Sequence, residues 1–217
     1  DVPRSAPRLV CLDGVNSMSG NIPDLPGLAA ICRRRDATLY IDDTHGFGVI
    51  GERGENEPCP FGLTGNSIVR HVGETYDHVV LVSGFSKAYS SLLAFLALPT
   101  GVKEHLKTAA TPYLYSGPSP VGSLAGVLAG FDVNETRGEE IRGRLHALTA
   151  RLLAVVGELG LATPNRSGLP IVELPVADEA GPVWSPDGRY LFATSGVRSS
   201  TGAMLFSSVI AIDMTQM

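Results

Sequence analysis

The chain is poor in the features that mark several functional classes. It has three cysteines in 217 residues, Cys11, Cys32 and Cys59, with no Cys-x-x-Cys spacing. That pattern suggests neither a disulfide framework nor a thiolate zinc site, and a reducing cytoplasm is the expected setting. Charged residues make up 18%, and 17 basic against 22 acidic side chains leave a net charge of -5. The sign is wrong for a surface that tracks nucleic acid. No apolar run approaches the roughly 20 residues of a membrane span, Leu92 to Leu98 being far too short. The N-terminal stretch Asp1 to Arg8 is not followed by an apolar signal region. His71, His78, His105 and His146 have no partner at metal spacing, so no metal site is expected. No internal repeat is found; Trp184 to Ala193 resembles one strand of a β-propeller blade, a fold that needs several copies.

What remains is a chain with 44% hydrophobic residues, enough for a substantial core. Arg8 to Val15 reads as a buried strand closed by Asp13-Gly14. A helix is expected next, capped by Asp24, started by Pro26 and stopped at Arg33-Arg34-Arg35. Ala37 to Ile41 is a second strand. This order implies parallel strands joined by a crossover, with functional loops at the strand C-terminal ends. Asn56 to Gly73 reads as a loop. Asp77 to Val82 and Leu92 to Leu98 are continuous apolar runs, read as strands covered on both faces. Helical patterns follow at Val102 to Ala110, Pro120 to Phe131 and Arg137 to Leu159, with Gly160 as a stop. Leu169 to Val176 is a further strand candidate, Asp178 to Phe192 is weakly helical, and Ser199 to Met217 has no clear period.

Three strand ends carry small polar residues where an α/β sheet presents its ligand crevice: Asp13-Gly-Val-Asn-Ser-Met-Ser-Gly, the run Asp42 to Gly51, and Ser83-Gly-Phe-Ser-Lys-Ala-Tyr-Ser. The second supplies a carboxylate and an imidazole three residues apart; the third supplies a lone lysine flanked by hydroxyls. Pyridoxal phosphate chemistry needs such a set, a lysine for an imine and a carboxylate to keep the pyridine nitrogen protonated.

These segments resemble the α-oxoamine synthase family of fold type I pyridoxal phosphate enzymes. Asp13 to Asn21 is similar to the family's D-G-V-F-S-M-D-G-D, Asp42 to Gly51 to D-(D/E)-A-H-G-x-G-V-x-G, and Gly84 to Ala88 to T-F-S-K-A. The resemblance continues through Tyr115-Ser-Gly-Pro-Ser-Pro to about Pro175. It implies an α/β fold, a mainly parallel central sheet with helices on both faces, plus part of a small α+β C-terminal domain. Residues 1–133 would belong to the large domain and 134–217 to the small one.

The resemblance also implies the roles. Lys87 would link to the cofactor and then move the substrate Cα proton; Asp42 would pair with the pyridine nitrogen and His45 would lie near the phenolic oxygen. Ser17 matches a serine near the ring. Ser83, Ser86 and Ser116 are the candidates for the phosphate, although the family's usual hydroxyl three residues before the lysine is Gly84 here and the Thr after Ser116 is Gly117. The implied activity is a pyridoxal phosphate-dependent acyltransferase that condenses an amino acid with an acyl thioester, with decarboxylation, in a homodimer. An aminotransferase of the same fold, or an inactive fragment that only associates with a partner, are the alternatives. Family members run to about 400 residues and have, before the first motif, a Gly-rich turn and an aromatic residue that stacks on the ring; nothing here matches either, nor the family's substrate arginine. The chain, which also lacks an initiating Met, is therefore expected to be the central part of such an enzyme, with weak cofactor binding on its own.

Overall fold

The structure, a computed structural model, describes residues 6–174 and the backbone of Val183–Trp184, Tyr190–Arg198 and Met204–Asp213. It divides into two compact units, one of residues 1–17 and 22–147, the other of residues 18–21 and 148–217.

In the first unit a four-stranded sheet runs in the order β1 (Leu9–Asp13), β2 (Thr38–Asp42), β3 (Val79–Gly84), β4 (Ala94–Ala97). The first three strands are parallel and β4 returns antiparallel to β3. Leu39, Ile41, Val79 and Leu81 are buried, while Tyr40, Val80 and Val82 between and beside them are only partly so, in place of the full cover on both faces that the continuous apolar run of β3 led one to expect. The fourth run departs further. Only Ala94–Ala97 is a strand, with Leu92 87% exposed and Leu96 48% exposed.

The β1–β2 crossover contains α1 (Leu25–Arg35), and its ends are where the sequence puts them. The Asp24 carboxylate accepts from the Gly27 N–H, Pro26 occupies the first turn, and Leu25, Ala29 and Cys32 face the core. At the other end Asp36 adopts the left-handed conformation (φ 49°, ψ 52°). Its N–H donates to Arg33 O and that of Ala37 to Cys32 O, the bond pair of a glycine-type helix stop built on an aspartate.

The loop after β2 leads to a short helix, α2 (Ile68–His71). After β4 come α3 (Thr100–Ala109), α4 (Thr111–Tyr115) and α5 (Val121–Glu158). The two helices expected over 120–159 are one continuous helix. The turn-forming residues between them are satisfied within the helix: Thr136 Oγ1 donates to Asp132 O at 2.7 Å, and Asn134 Oδ1 accepts from the Arg142 guanidinium. Gly160 (φ +67°) ends it, with Gly160 N–H on Gly157 O and Leu161 N–H on Val156 O.

Arg142 and His146, one turn apart on α5, hold the loop that follows β2. The Arg142 guanidinium donates to the carbonyls of Leu63 and Gly48, and His146 Nε2 lies 3.1 Å from Val49 O while its ring packs on Phe61. Arg142 is 5% exposed and its ionisation is disfavoured chiefly by burial, so its hydrogen bonds must offset that desolvation.

In the second unit, Asn21 Oδ1 accepts from the N–H groups of Arg166 and Ser167, and Asn165 Nδ2 donates to Leu169 O and Ile171 O. With those carbonyls bonded to a side chain, Leu169 to Leu174 forms no strand, contrary to expectation. The remainder of that candidate, 175–176, lies outside the described residues. Where a weak helix was expected, Val183–Trp184 (β5) and Tyr190–Arg198 (β6) are antiparallel strands; Pro182 and Pro186 are incompatible with a helix interior. The rest of that stretch is not among the described residues. β6 pairs with β7 (Met204–Asp213), a strand that the absence of a period in 199–217 concealed.

Asp36→Gly is expected to raise stability by about 0.5–1 kcal/mol by removing the left-handed strain of a Cβ residue, measured by urea unfolding. Arg142→Met is expected to cost roughly 2–4 kcal/mol in the same assay, since it strands the carbonyls of Leu63 and Gly48.

Candidate active site

The site is built at the C-terminal ends of β1, β2 and β3; β1 and β2 finish level with one another, and β3 runs two residues further, to Gly84. Asp13 pairs with Asp42, and Asp42 pairs with Val82. The ladder continues one step further, with Gly14 N–H on Asp42 O at 2.7 Å and Asp43 N–H on Val82 O at 2.8 Å. Polar residues that follow three separate strands are thereby delivered to one edge.

On β1 the Asp13 carboxylate accepts from the Ser17 N–H at 3.1 Å, which closes the first turn of the loop. On β2 the Asp42 side chain is exposed and accepts from the Thr44 N–H at 3.0 Å. Strand alternation sends its neighbour Asp43 the other way, into the core at 0% exposure. Burial raises the Asp43 carboxyl to about 7, against the lowering effect of the Ile68 N–H that it accepts. Thr44 ties this loop to the next strand, its hydroxyl accepting from the Gly84 N–H at 3.0 Å.

His45 is half-buried, and that burial is the main reason its imidazole is harder to protonate than usual. The charge of Lys87 acts in the same direction, while Asp13 and Asp42 oppose it. Lys87, Asp13 and Asp42, from three strand ends, are thus within electrostatic reach of the His45 ring. The shift favours the neutral imidazole, which can accept or donate a hydrogen bond without adding charge.

Lys87 lies exposed in the connection from β3 to β4. That connection is closed by Phe85 N–H on Leu93 O at 2.8 Å and Ser91 N–H on Phe85 O at 3.0 Å. Beneath it lies an aromatic cluster. Phe85 packs against Phe47, Tyr89, Phe95 and Phe131 at centroid distances of 5.3 to 5.8 Å, and Tyr89 stacks on Phe47 at 5.6 Å. Gly48, at φ +83°, approaches this turn so closely that a Cβ would fall 2.5 Å from that of Ala88. The rings and the glycine fix the backbone on either side of the lysine.

The hydroxyls singled out in the sequence separate. Ser86 is exposed beside Lys87 and its Oγ lies near Gly84. Ser83 is fully buried, with its hydroxyl donating to Asp43 O, and is not brought to the solvent side with Lys87. Ser17 is exposed at the start of its loop. Ser116 is exposed at the end of α4, its hydroxyl donating to Pro112 O. Three participants were not selected from the sequence: Asp13, Asp43 and Thr44. Asp13 and Asp43 were visible as the first residue of one motif and the second of another. Thr44 carried no signal, since its function is to bond across strands.

Comparison with known proteins agrees with this architecture. The family model described as aminotransferase class I and II matches residues 2–176. The 8-amino-7-oxononanoate synthase of Chromohalobacter salexigens is 39% identical over 181 residues, which is 82% of this chain and 43% of that protein. The enzyme of the same name from Ectopseudomonas mendocina is 37% identical over 173 residues, 79% of this chain and 41% of that protein. The chain therefore spans about two fifths of the length of these curated relatives. Among solved structures, a serine palmitoyltransferase from S. paucimobilis with bound PLP and myriocin superposes with a TM-score of 0.71 at 22% identity, over 82% of this chain and 43% of that one. An 8-amino-7-oxononanoate synthase from Francisella tularensis gives 0.68 at 18% identity, over 96% and 57%. These last two establish the shared fold type I architecture. With the family model covering most of the sequence and curated relatives well above 30% identity, the chain belongs to the aminotransferase class I and II family.

Proposed function

We propose that this chain carries the pyridoxal phosphate site of an acyltransferase of the α-oxoamine synthase type, which condenses an amino acid with an acyl thioester of coenzyme A or a carrier protein, releases carbon dioxide and yields an aminoketone. The observation that carries this reading is the convergence of Lys87, Asp42 and His45 on one edge of the sheet, with Lys87 and Asp42 both acting on the His45 imidazole. The names of the curated relatives, 8-amino-7-oxononanoate synthase, support it.

The donor set fits the cofactor. Lys87 is a lone amine held by a packed turn, Asp42 an exposed carboxylate, His45 an imidazole shifted towards its neutral form, and Ser86 an exposed hydroxyl next to the lysine. Bound there, pyridoxal phosphate supplies an electron sink for the charge left when the substrate Cα loses its proton. Asp42 would hold a proton on the pyridine nitrogen. His45 would hydrogen-bond near the phenolic oxygen without adding charge, and Ser17 would lie close by. Ser86 and Ser116 are the hydroxyls placed in solvent for the phosphate, with Ser83 turned away. Lys87 Nζ would anchor the cofactor, then take the proton from Cα of the amino acid. The deprotonated Cα would attack the thioester carbonyl, the sulfur would leave as a thiolate that takes a proton from solvent, the carboxyl group would depart as carbon dioxide, and Lys87 would return its proton to Cα.

A homodimer is part of this proposal. It is supported by the apolar side chains that α4 and the start of α5 expose, Tyr113, Tyr115, Val121 and Leu128 at 66%, 84%, 80% and 66%. A cytoplasmic setting is supported by the three free cysteines, and no helix among the described residues is long and apolar enough to cross a membrane.

The visible absorbance of the chain mixed with pyridoxal phosphate tests the site. A band that depends on Lys87, shifts with glycine, alanine or serine and disappears in Lys87→Ala is expected. Turnover of a complete enzyme carrying that substitution should fall by roughly 10²–10⁴. Carbon dioxide released in step with thiol from an acyl thioester marks condensation, whereas a keto acid without thiol release marks transamination and overturns the acyltransferase reading. A chain with no lysine-dependent band is the inactive fragment. Gly48→Ala should displace the Lys87 turn through Ala88 and weaken cofactor binding about tenfold in the same titration, a penalty of roughly 1.4 kcal/mol.

A further inference from the structure

Asp43 has no place in the mechanism above, yet it is the residue on which the Asp42–His45 segment hangs. Its N–H donates to Val82 O, and its carbonyl accepts from Gly46 N–H at 3.0 Å, Phe47 N–H at 2.8 Å and the Ser83 hydroxyl at 3.3 Å. Its side chain reaches past the sheet, where Oδ2 accepts from the Ile68 N–H at 3.0 Å, the first amide of α2. One residue thus fixes the end of β2, the turn that contains His45, the end of β3 and the start of α2.

The surroundings of this carboxyl are unusual in three respects. Oδ1 is buried and has no hydrogen-bond partner. The space around it is kept by glycines: a Cβ on Gly14 would fall 2.7 Å from Oδ1 and one on Gly46 2.1 Å, with Val15, Ile41 and Ile68 lining the remainder. The amide that meets Oδ2 is delivered by strain, since Ser67 just before it sits at φ +117°, ψ 161°, a conformation costly for any residue with a Cβ. The groups packed against the carboxyl from β1, the β2 turn and α2 are uncharged, and the charge that acts on it is that of Asp42, which is repulsive. A carboxylate with one donor, an orphan oxygen and a like charge beside it is disfavoured relative to the neutral acid.

We propose that Asp43 is a positioning residue whose buried carboxyl works in its protonated form: neutral, it holds Ile68 and the Asp42–His45 segment together, and its ionisation loosens that segment. The consequence for the cofactor rests on the assignment of Asp42 and His45 given above, but the ionisation itself does not and is read on the chain without cofactor.

The sign follows from linkage. Burial raises the folded-state value from 3.8 to about 7, so between those limits the folded chain retains a proton that the unfolded chain has lost. The associated stability is fully present below the unfolded value and is lost as pH rises through about 7. Asp43→Asn keeps the shape and the acceptor for Ile68 but cannot ionise.

The test follows thermal unfolding of both chains from pH 5 to 8.5 and measures amide exchange of Gly46, Phe47 and Ile68. The midpoint of Asp43→Asn minus that of the unsubstituted chain should be smallest at pH 5, grow by about 5 °C or more as pH rises through about 7, and level off above that. In the unsubstituted chain the protection factors of the three amides, corrected for intrinsic exchange, should fall roughly tenfold over the same range, and in Asp43→Asn they should stay level. Should the variant not fold, the Ile68 amide nitrogen shift of the unsubstituted chain decides, with a titration midpoint near neutral expected. A midpoint difference independent of pH, a titration below about pH 5, or unchanged protection while the carboxyl ionises would each overturn the proposal.

Discussion

The constraint on which the rest of the structure depends is the shared register of three parallel strands. Parallel pairing requires a crossover between consecutive strands, so the residues after each strand emerge on the same edge of the sheet. Here Asp13 lies opposite Asp42 and Asp42 opposite Val82, with β3 continuing to Gly84. Residues some seventy positions apart in the chain, Asp13 and Lys87 among them, act on one imidazole. A slip of one residue in β2 would exchange the exposed Asp42 with the buried Asp43 and leave the edge with the wrong carboxylate.

Around that edge, opposite physical means are used for support. On one side of the lysine the backbone is fixed by ring packing among Phe47, Phe85, Tyr89, Phe95 and Phe131, and by the close approach of Gly48. On the other, the loop after β2 is held by buried polar groups, Asp43 from the strand and Arg142 with His146 from α5. Apolar packing is tolerant of small shifts, whereas buried hydrogen bonds to backbone are directional. The His45 segment lies where the directional contacts are concentrated, and the flanking pair Asp42 and Asp43 shows how strongly environment divides two identical groups: one remains in water at the edge, and the other is pushed towards neutrality.

Much of the fold was legible because local signals and tertiary structure agree. The helix α1 begins at Asp24 with Pro26 and stops after three arginines because capping and the macrodipole act within a turn. The apolar runs of β1 to β3 identify strands, although β1, expected to be buried, exposes Leu9 and Cys11. The readings that failed did so where a distant partner decides. The Asn134–Gly138 stretch has the composition of a break, but Asn134 and Gly138 pack on Arg142 of the same helix, so the helix continues. Leu169–Leu174 has a strand's composition but gives its carbonyls to Asn165. Leu92–Leu98 is apolar enough for a covered strand, yet four of its residues form one, antiparallel and partly exposed.

The same division applies to the site. Three motifs supply, in order, a carboxylate, an imidazole and a lone lysine on loops after apolar strands, because these are properties of residue type and near spacing. Which of several identical groups faces the cofactor edge is another matter. Ser83 and Ser86 are equivalent in composition, but Ser83 is buried within β3 and Ser86 is exposed in the turn that follows it. Asp43 could be read as a loop cap, and only its neighbours Gly14, Gly46 and Ile68, drawn from three separate segments, make it a buried acid. The sequence by itself determined the three parallel strands, the first helix with its caps, and the residue types at the strand ends, since those follow from local propensity and periodicity. Tertiary structure alone decided exposure, proton affinity and partner, because each depends on atoms that the chain brings together only when its sheet has formed.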